Sequence, residues 1–255
     1  RRRCPAAAPW PLEYVVEPRR GIAYGRNAAL DCARDADWIA FLDDDEVPAP
    51  DWLDALLRAR RTYDADVVGG PVLPHTPDET PKWLVAGGFF NRKRHATGTR
   101  LPHCFTNNVL FRTRVLDELD LRFDEQWRLN GAEDRAFFQT IGMAGYKIVW
   151  ADDAVVTEWL PPTRANARWV VTRYFRLGNT TTLVQCDLRG RWRMTPILAA
   201  KATVWLLIGV GRFLLGLVRG RIERHWGRCA FAYGVGILAG LAGFKYEEYK
   251  RIHSV

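Results

Sequence analysis

The feature that most constrains this chain is the run Trp38-Ile39-Ala40-Phe41-Leu42, which stops at Asp43-Asp44-Asp45. A short, continuous apolar run that ends abruptly in acids reads as a strand buried in a parallel sheet and stopping at a ligand-binding edge. Three adjacent aspartates repel one another, and a divalent cation, which prefers hard oxygen ligands, relieves that repulsion. If the strand extends to Asp43, its two-residue period turns Asp43 and Asp45 to one side and Asp44 to the other, so the first and third form the functional pair. The bland reading is an acidic loop that caps the next helix. Asp51 already stands at that cap, however, with Asp54 following in capping-box spacing.

The flanking sequence alternates between strand and helix patterns. Leu12 to Val16 reads as a short strand closed by Pro18, and Gly21 to Ala33 as a loop feeding a helix. After Asp51, the apolar positions Trp52, Leu53, Leu56 and Leu57 predict one buried helix face. Asp66 to Val72 and 105 to 111 are strand-like, the latter interrupted by Asn107-Asn108. Gly131 precedes an amphipathic helix from about Glu133 to Met143, and a strand follows over Tyr146 to Trp150. This order predicts an α/β layered domain with a mixed sheet.

Charge separates the two ends of the chain. Residues 186–255 hold 12 Lys and Arg against 4 acids, so the net charge of +8 resides there and positions 1–185 balance. A basic segment can meet nucleic acid or an anionic membrane; here it is also strongly apolar, over 197–218 and 229–244, which points to membrane and away from nucleic acid. Lys201 and Arg212 interrupt the first stretch, and four arginines (219, 221, 224, 228) lie between the two. Helices lying in the membrane interface suit this pattern better than a spanning hairpin; soluble helices packed on the first domain are the alternative. The expected organisation is a domain over 1–185 and a membrane-associated helical tail over 186–255. Five scattered cysteines without a C-x-x-C pair exclude a disulfide framework and a zinc site, and fit a reducing cytoplasm.

Three motifs in fixed order carry a resemblance. Glu17-Pro18-Arg19-Arg20-Gly21-Ile22-Ala23-Tyr24-Gly25-Arg26-Asn27-Ala28-Ala29-Leu30, then Phe41-Leu42-Asp43-Asp44-Asp45-Glu46, then Gly131-Ala132-Glu133-Asp134 together resemble the family 2 glycosyltransferases of the GT-A fold, especially bacterial enzymes of exopolysaccharide synthesis. The matching stretch runs from about residue 12 to 180.

That resemblance implies roles residue by residue. Asp43 and Asp45 form the D-x-D element that contacts the donor ribose and holds Mn²⁺ or Mg²⁺ on the diphosphate. Arg26 and Asn27 line the nucleotide pocket, with Gly25 where Ala is usual, and Asp44 is the least of this donor-side set. Asp134 is the catalytic base of an inverting transfer. Glu133, Asn108 and Trp159 fall on the acceptor side. Glu158 stands where many relatives place a metal-binding His, and a carboxylate there still suits a hard cation. Arg173 and Arg176, with Arg164 before them, resemble a basic element closing over the diphosphate. The implied partners are a nucleotide-sugar donor, a glycan or lipid-linked acceptor and an anionic membrane surface, at the cytoplasmic face of a bacterial inner membrane. The family's opening strand-helix-strand has no counterpart before Leu12, so weak nucleotide binding by these 255 residues is expected.

Two other classes compete. A metal-dependent phosphohydrolase would use the same aspartates but needs further ligands, and the five histidines form no such motif. A non-catalytic membrane adaptor would keep the fold without the chemistry.

Overall fold

The computed structural model describes residues 2–3 and 11–248. The elements run β1 (Arg2–Arg3), β2 (Glu13–Tyr14), α1 (Ile22–Ala33), β3 (Trp38–Leu42), β4 (Glu46–Pro48), α2 (Trp52–Tyr63), β5 (Val67–Gly69), β6 (Val72–His75), α3 (Lys82–Ala86), β7 (Asn108–Arg112) and α4 (Arg114–Glu118). A 3-10 turn (Glu125–Trp127) leads to α5 (Glu133–Met143), β8 (Ile148–Trp150) and β9 (Val156–Trp159). Three long helices close the chain: α6 (Ala167–Arg189), α7 (Arg191–Arg219) and α8 (Arg221–Leu241).

The main sheet has the order β3-β7-β5-β8, with β5 and β8 parallel and the other pairs antiparallel. Alternation along its strands divides the core. Val67, Val109, Phe111 and Ile148 face α1 and α5, while Val68, Leu110 and Val149 face Ala55, Leu56 and Ala59 of α2. On the first face Phe123 stacks on Phe137 with ring centroids 4.2 Å apart, and burying each such ring contributes on the order of 2–3 kcal/mol. The layered α/β domain with a mixed sheet, expected from the motif order, is what the chain forms.

Several local expectations need correction. The Trp38–Leu42 strand is not buried in a parallel sheet. Among the described residues β3 is an edge strand, antiparallel to β7, and only Ile39 is buried in it. The stretch 66–72 is not one strand. Pro71 has no donor for a ladder, and a Cβ on Gly70 would lie 2.5 Å from the Ala154 carbonyl oxygen, so the chain leaves the main sheet there. It resumes as β6 in a second sheet, β4-β9-β6. Leu53 does not join the buried face of α2, which consists of Ala55, Leu56 and Ala59. Asp51 occupies the N-cap position of α2 without a side-chain capping bond.

Beyond the sheets, α6, α7 and α8 form an up-down-up bundle. The Asn166 side chain caps α6, accepting from the Trp169 N–H at 2.9 Å. The helix runs unbroken past residue 185 to Arg189, and the chain turns at Gly190, whose φ of +87° favours glycine.

Candidate active site

The site forms where the ends of β3 and β9 meet the first turns of α1 and α5. Gly21, with φ of +139°, starts α1 against Arg128, and the Ile22 N–H donates to the Arg128 carbonyl at 3.2 Å. A Cβ on Gly21 would lie 2.7 Å from that of Arg128, so only glycine fits. Three residues later Gly131, at φ +67°, turns the chain into α5, where Glu133 and Asp134 occupy the first turn and favour the positive end of the helix dipole. The Asn130 side chain steadies that turn by accepting from the Ala132 N–H at 3.2 Å. The first and third motifs, about a hundred residues apart, are thereby brought side by side.

Arg26 joins them to the second. One guanidinium nitrogen pairs with the buried Glu133 carboxylate, and the other lies 3.6 Å from Asp43. Burial raises the pKa of Asp43, Arg26 opposes the shift, and Asp45 and Asp134 reinforce it. Glu133 is raised as well, first by burial and then by Asp134. Among the described residues its Oε2 has no hydrogen-bond partner.

At the second strand end, Glu158 pairs in register with Glu46, and the Trp159 N–H donates to the Asp45 carbonyl at 2.9 Å. Burial raises the pKa of Asp45, with Glu158 repelling it and Arg164, 3.3 Å away, opposing the shift. Arg92 pairs with Glu158 at 2.7 Å. Among the described residues no group of three or more His, Cys, Asp or Glu side chains is set to cage a metal ion. The pair Asp45 and Glu158 nonetheless fits one. Two hard, mutually repelling carboxylates supply what Mg²⁺ takes from protein when substrate phosphates complete its shell.

Asn27 is buried, and its carboxamide is taken up by Phe123, donating to the carbonyl at 2.8 Å and accepting from the N–H at 2.9 Å. Asn108 accepts from Trp52 Nε1 and donates to the carbonyls of Pro71 and Ala154. Both amides clamp backbone. Asp44 is exposed while Asp43 and Asp45 are half-buried, but β3 ends at Leu42 and 44–45 form a turn closed by the Glu46 N–H donating to the Asp43 carbonyl at 3.3 Å, so the turn and not strand alternation separates them. Trp159 is 54% exposed, with its ring centroid 3.9 Å from that of His75, and is open to a sugar face. Arg176 is paired with Glu248 at 2.6 Å. Arg173 lies over the Trp169 ring beside Arg92 and Glu158 and makes no ion pair among the described residues. Burial and then the Arg92 charge lower it to about 10, so it remains a cation at neutral pH.

The family model described as glycosyl transferase family 2 matches residues 4–120. Succinoglycan biosynthesis protein ExoM of Rhizobium meliloti (strain 1021) is 31% identical over 246 residues, covering 94% of this chain and 77% of that protein. The chain belongs to glycosyltransferase family 2. It is therefore an enzyme, a glycosyltransferase, as the three motifs lead one to expect. S. aureus TarS 1-349 in complex with UDP is 14% identical, with a TM-score of 0.39 over 89% of this chain and 73% of that one. Its complex with UDP-GlcNAc is 15% identical, also with a TM-score of 0.39, over 89% and 74%. At such scores the likeness places no residue.

Two residues of this family 2 glycosyltransferase escape sequence reasoning. Glu46 is buried beneath the aspartates, its carboxylate accepting from the Asp43 N–H and from Asn107 Nδ2, both at 3.1 Å. Burial lifts it to about 8. Its place directly after Asp45 was the available signal. Arg92 lies in the basic run 92–94, which carries no pattern of its own. Gly25, where the family usually has Ala, is sterically neutral, since a Cβ there would meet nothing within 4 Å.

Proposed function

We propose that this family 2 glycosyltransferase transfers a sugar from a nucleoside-diphosphate donor, with inversion, to a glycan or lipid-linked acceptor in bacterial exopolysaccharide synthesis. The observation that carries the reading is the Arg26 bridge, which ties Asp43 to Glu133, the neighbour of Asp134 in the first turn of α5. The likeness to ExoM supports the pathway class.

Asp134 takes the proton of the acceptor hydroxyl as its oxygen attacks the anomeric carbon from the face opposite the diphosphate. The new C–O bond forms as the bond to the diphosphate breaks. One displacement inverts the centre. Glu133 holds Arg26, and Arg26 holds Asp43 against the donor. Arg173, with Arg92 beside it, faces the charge of the leaving diphosphate, which a planar guanidinium matches well. Asp45 and Glu158, with Asp43, would hold Mn²⁺ or Mg²⁺. When bound, the cation neutralises the leaving nucleoside diphosphate. Trp159 offers its exposed ring to the acceptor.

The helices after residue 185 would keep this site at an anionic, cytoplasm-facing membrane surface. Among the described residues α7 is long and apolar enough to cross a membrane. The reading is tested by screening nucleotide-sugar donors with purified protein and acceptor membranes, following nucleoside-diphosphate release. Release that requires the membranes, with the product of opposite anomeric configuration, supports it. Equal release from donor alone would mark a hydrolase instead.

A further inference from the structure

The three-helix bundle is packed with its small residues inside and its large apolar residues outside. A Cβ on Gly209 would lie 2.6 Å from the Phe231 backbone nitrogen, and one on Gly216 would lie 2.2 Å from that of Arg224. On α8, one on Gly227 would lie 2.4 Å from the Phe213 nitrogen, and one on Gly236 would lie 2.1 Å from the Phe175 carbonyl. The helix backbones therefore touch. Outside, Val204, Leu207, Ile208, Leu214, Leu215 and Val218 of α7 are exposed, and only 17% of the most apolar stretch of this helix is buried. Glycine seams with outward Leu and Val are how helices pack against each other in lipid, and an apolar face this long is not left to water.

Length and composition alone would let α7 cross a bilayer, because 29 residues span about 43 Å against a hydrocarbon core of about 30 Å. Its neighbours forbid that. At the Gly190 end, Leu188 packs with Trp127, and Asp187 lies 3.5 Å from Gln126. At the Gly220 end, Arg221 lies over the Trp83 ring at 5.4 Å. Trp127 lies in the turn before α5, and Trp83 lies in α3, between β6 and β7, so both ends of α7 are held against segments of the domain that carries the site. Crossing would carry one of those segments through the bilayer.

Charge agrees. Arg189, Arg191 and Arg193 surround the first turn and Arg219, Arg221 and Arg224 the second, so each end of α7 presents a basic cluster, which complements the phosphates of one leaflet. We infer that α7 lies in the plane of the membrane, its outward face sunk into a single leaflet of anionic lipid, and does not span it. The active site belongs to the same raft, since α6 begins just after Arg164, which pairs with Asp45, and its Tyr174 packs on Trp226 of α8. A substrate carried in the leaflet would then meet the site at headgroup level.

This inference deepens the membrane-surface reading given above, and the experiment separates the two. Full-length chain is expressed in bacterial cells, and membranes are washed with about 1 M salt, which screens charge but not apolar contact. The native chain should remain bound, while Leu207→Asp with Leu214→Asp should shift it to the soluble fraction by roughly tenfold or more. An unchanged far-UV circular dichroism spectrum would show that the variant is folded. Recovery of the native chain in the soluble fraction would overturn the membrane reading itself. Arg193→Cys and Arg219→Cys are then treated with an impermeant maleimide in intact spheroplasts, with the native chain as background. An in-plane helix leaves both positions unlabelled until the cells are permeabilised. Labelling of one turn and protection of the other would establish a span and overturn the inference while leaving membrane binding intact.

Discussion

Arg26 and Glu133 form an ion pair between α1 and α5 in which Glu133 is 1% exposed. Breaking a buried pair by removing one partner leaves an uncompensated charge and typically costs about 3–5 kcal/mol. Arg26→Ala should therefore lower the melting temperature sharply, and a double variant with Glu133→Gln should recover part of the loss. Independent, additive losses in a double-mutant cycle would show that the pair is not coupled. Arg26→Lys should keep the fold better than it keeps activity, because a single ammonium cannot fork between Glu133 and Asp43.

Asn108 supplies a contrasting case. Among the described residues its three side-chain hydrogen bonds go to Trp52, Pro71 and Ala154. Asn108→Ala should destabilise by about 2–4 kcal/mol, from buried groups left without partners, yet leave the KM for acceptor within about twofold at a temperature where the variant is folded. A large rise in acceptor KM without loss of stability would place the residue in the acceptor site.

Much of the domain was legible before its structure. Gly21, Asp43 to Asp45 and Glu133-Asp134 mark the strand ends and helix starts where the site lies, because glycine and acids have local reasons to occupy such positions. The direction of β3 was not legible, since its partner β7 lies 66 residues later by the Leu42↔Asn108 register and an apolar run reads alike in either direction. Asn27 and Asn108 look like ligand-binding amides in sequence. Their partners are backbone groups of Phe123, Pro71 and Ala154 and the Trp52 indole, which only the tertiary fold delivers. Glu46 was missed for a related reason, as burial sets its protonation and burial is not a local property.

Glu46 gives the chain a pH signature. Its folded pKa of about 8 lies above the ordinary glutamate value of 4.5, so the folded state holds a proton that the unfolded state releases. The stabilisation is complete below about 4.5 and is lost progressively as pH rises toward 8. Glu46→Gln should flatten the fall in melting temperature across that window. An unchanged slope would mean that Glu46 is ionised in the fold.

Asp45 and Glu158 test the cation. Asp45→Ala should abolish Mn²⁺- or Mg²⁺-dependent transfer while the circular dichroism spectrum and melting curve stay near native, because Asp45 is half-buried and its partner Arg164 is partly in water. Glu158→Gln should weaken the metal response less, leaving one oxygen ligand in place. Undiminished metal-dependent activity in Asp45→Ala would remove that residue from the metal site.

The central claim is that Asp134, next to the bridged Glu133 in the first turn of α5, is the base of a single displacement. Its most direct test is Asp134→Asn, measured as acceptor-dependent nucleoside-diphosphate release alongside donor affinity. The expected result is a fall in kcat of roughly 10²–10⁴-fold with donor binding unchanged. Transfer at the native rate by Asp134→Asn would contradict the assignment, and with it the mechanism built on this site.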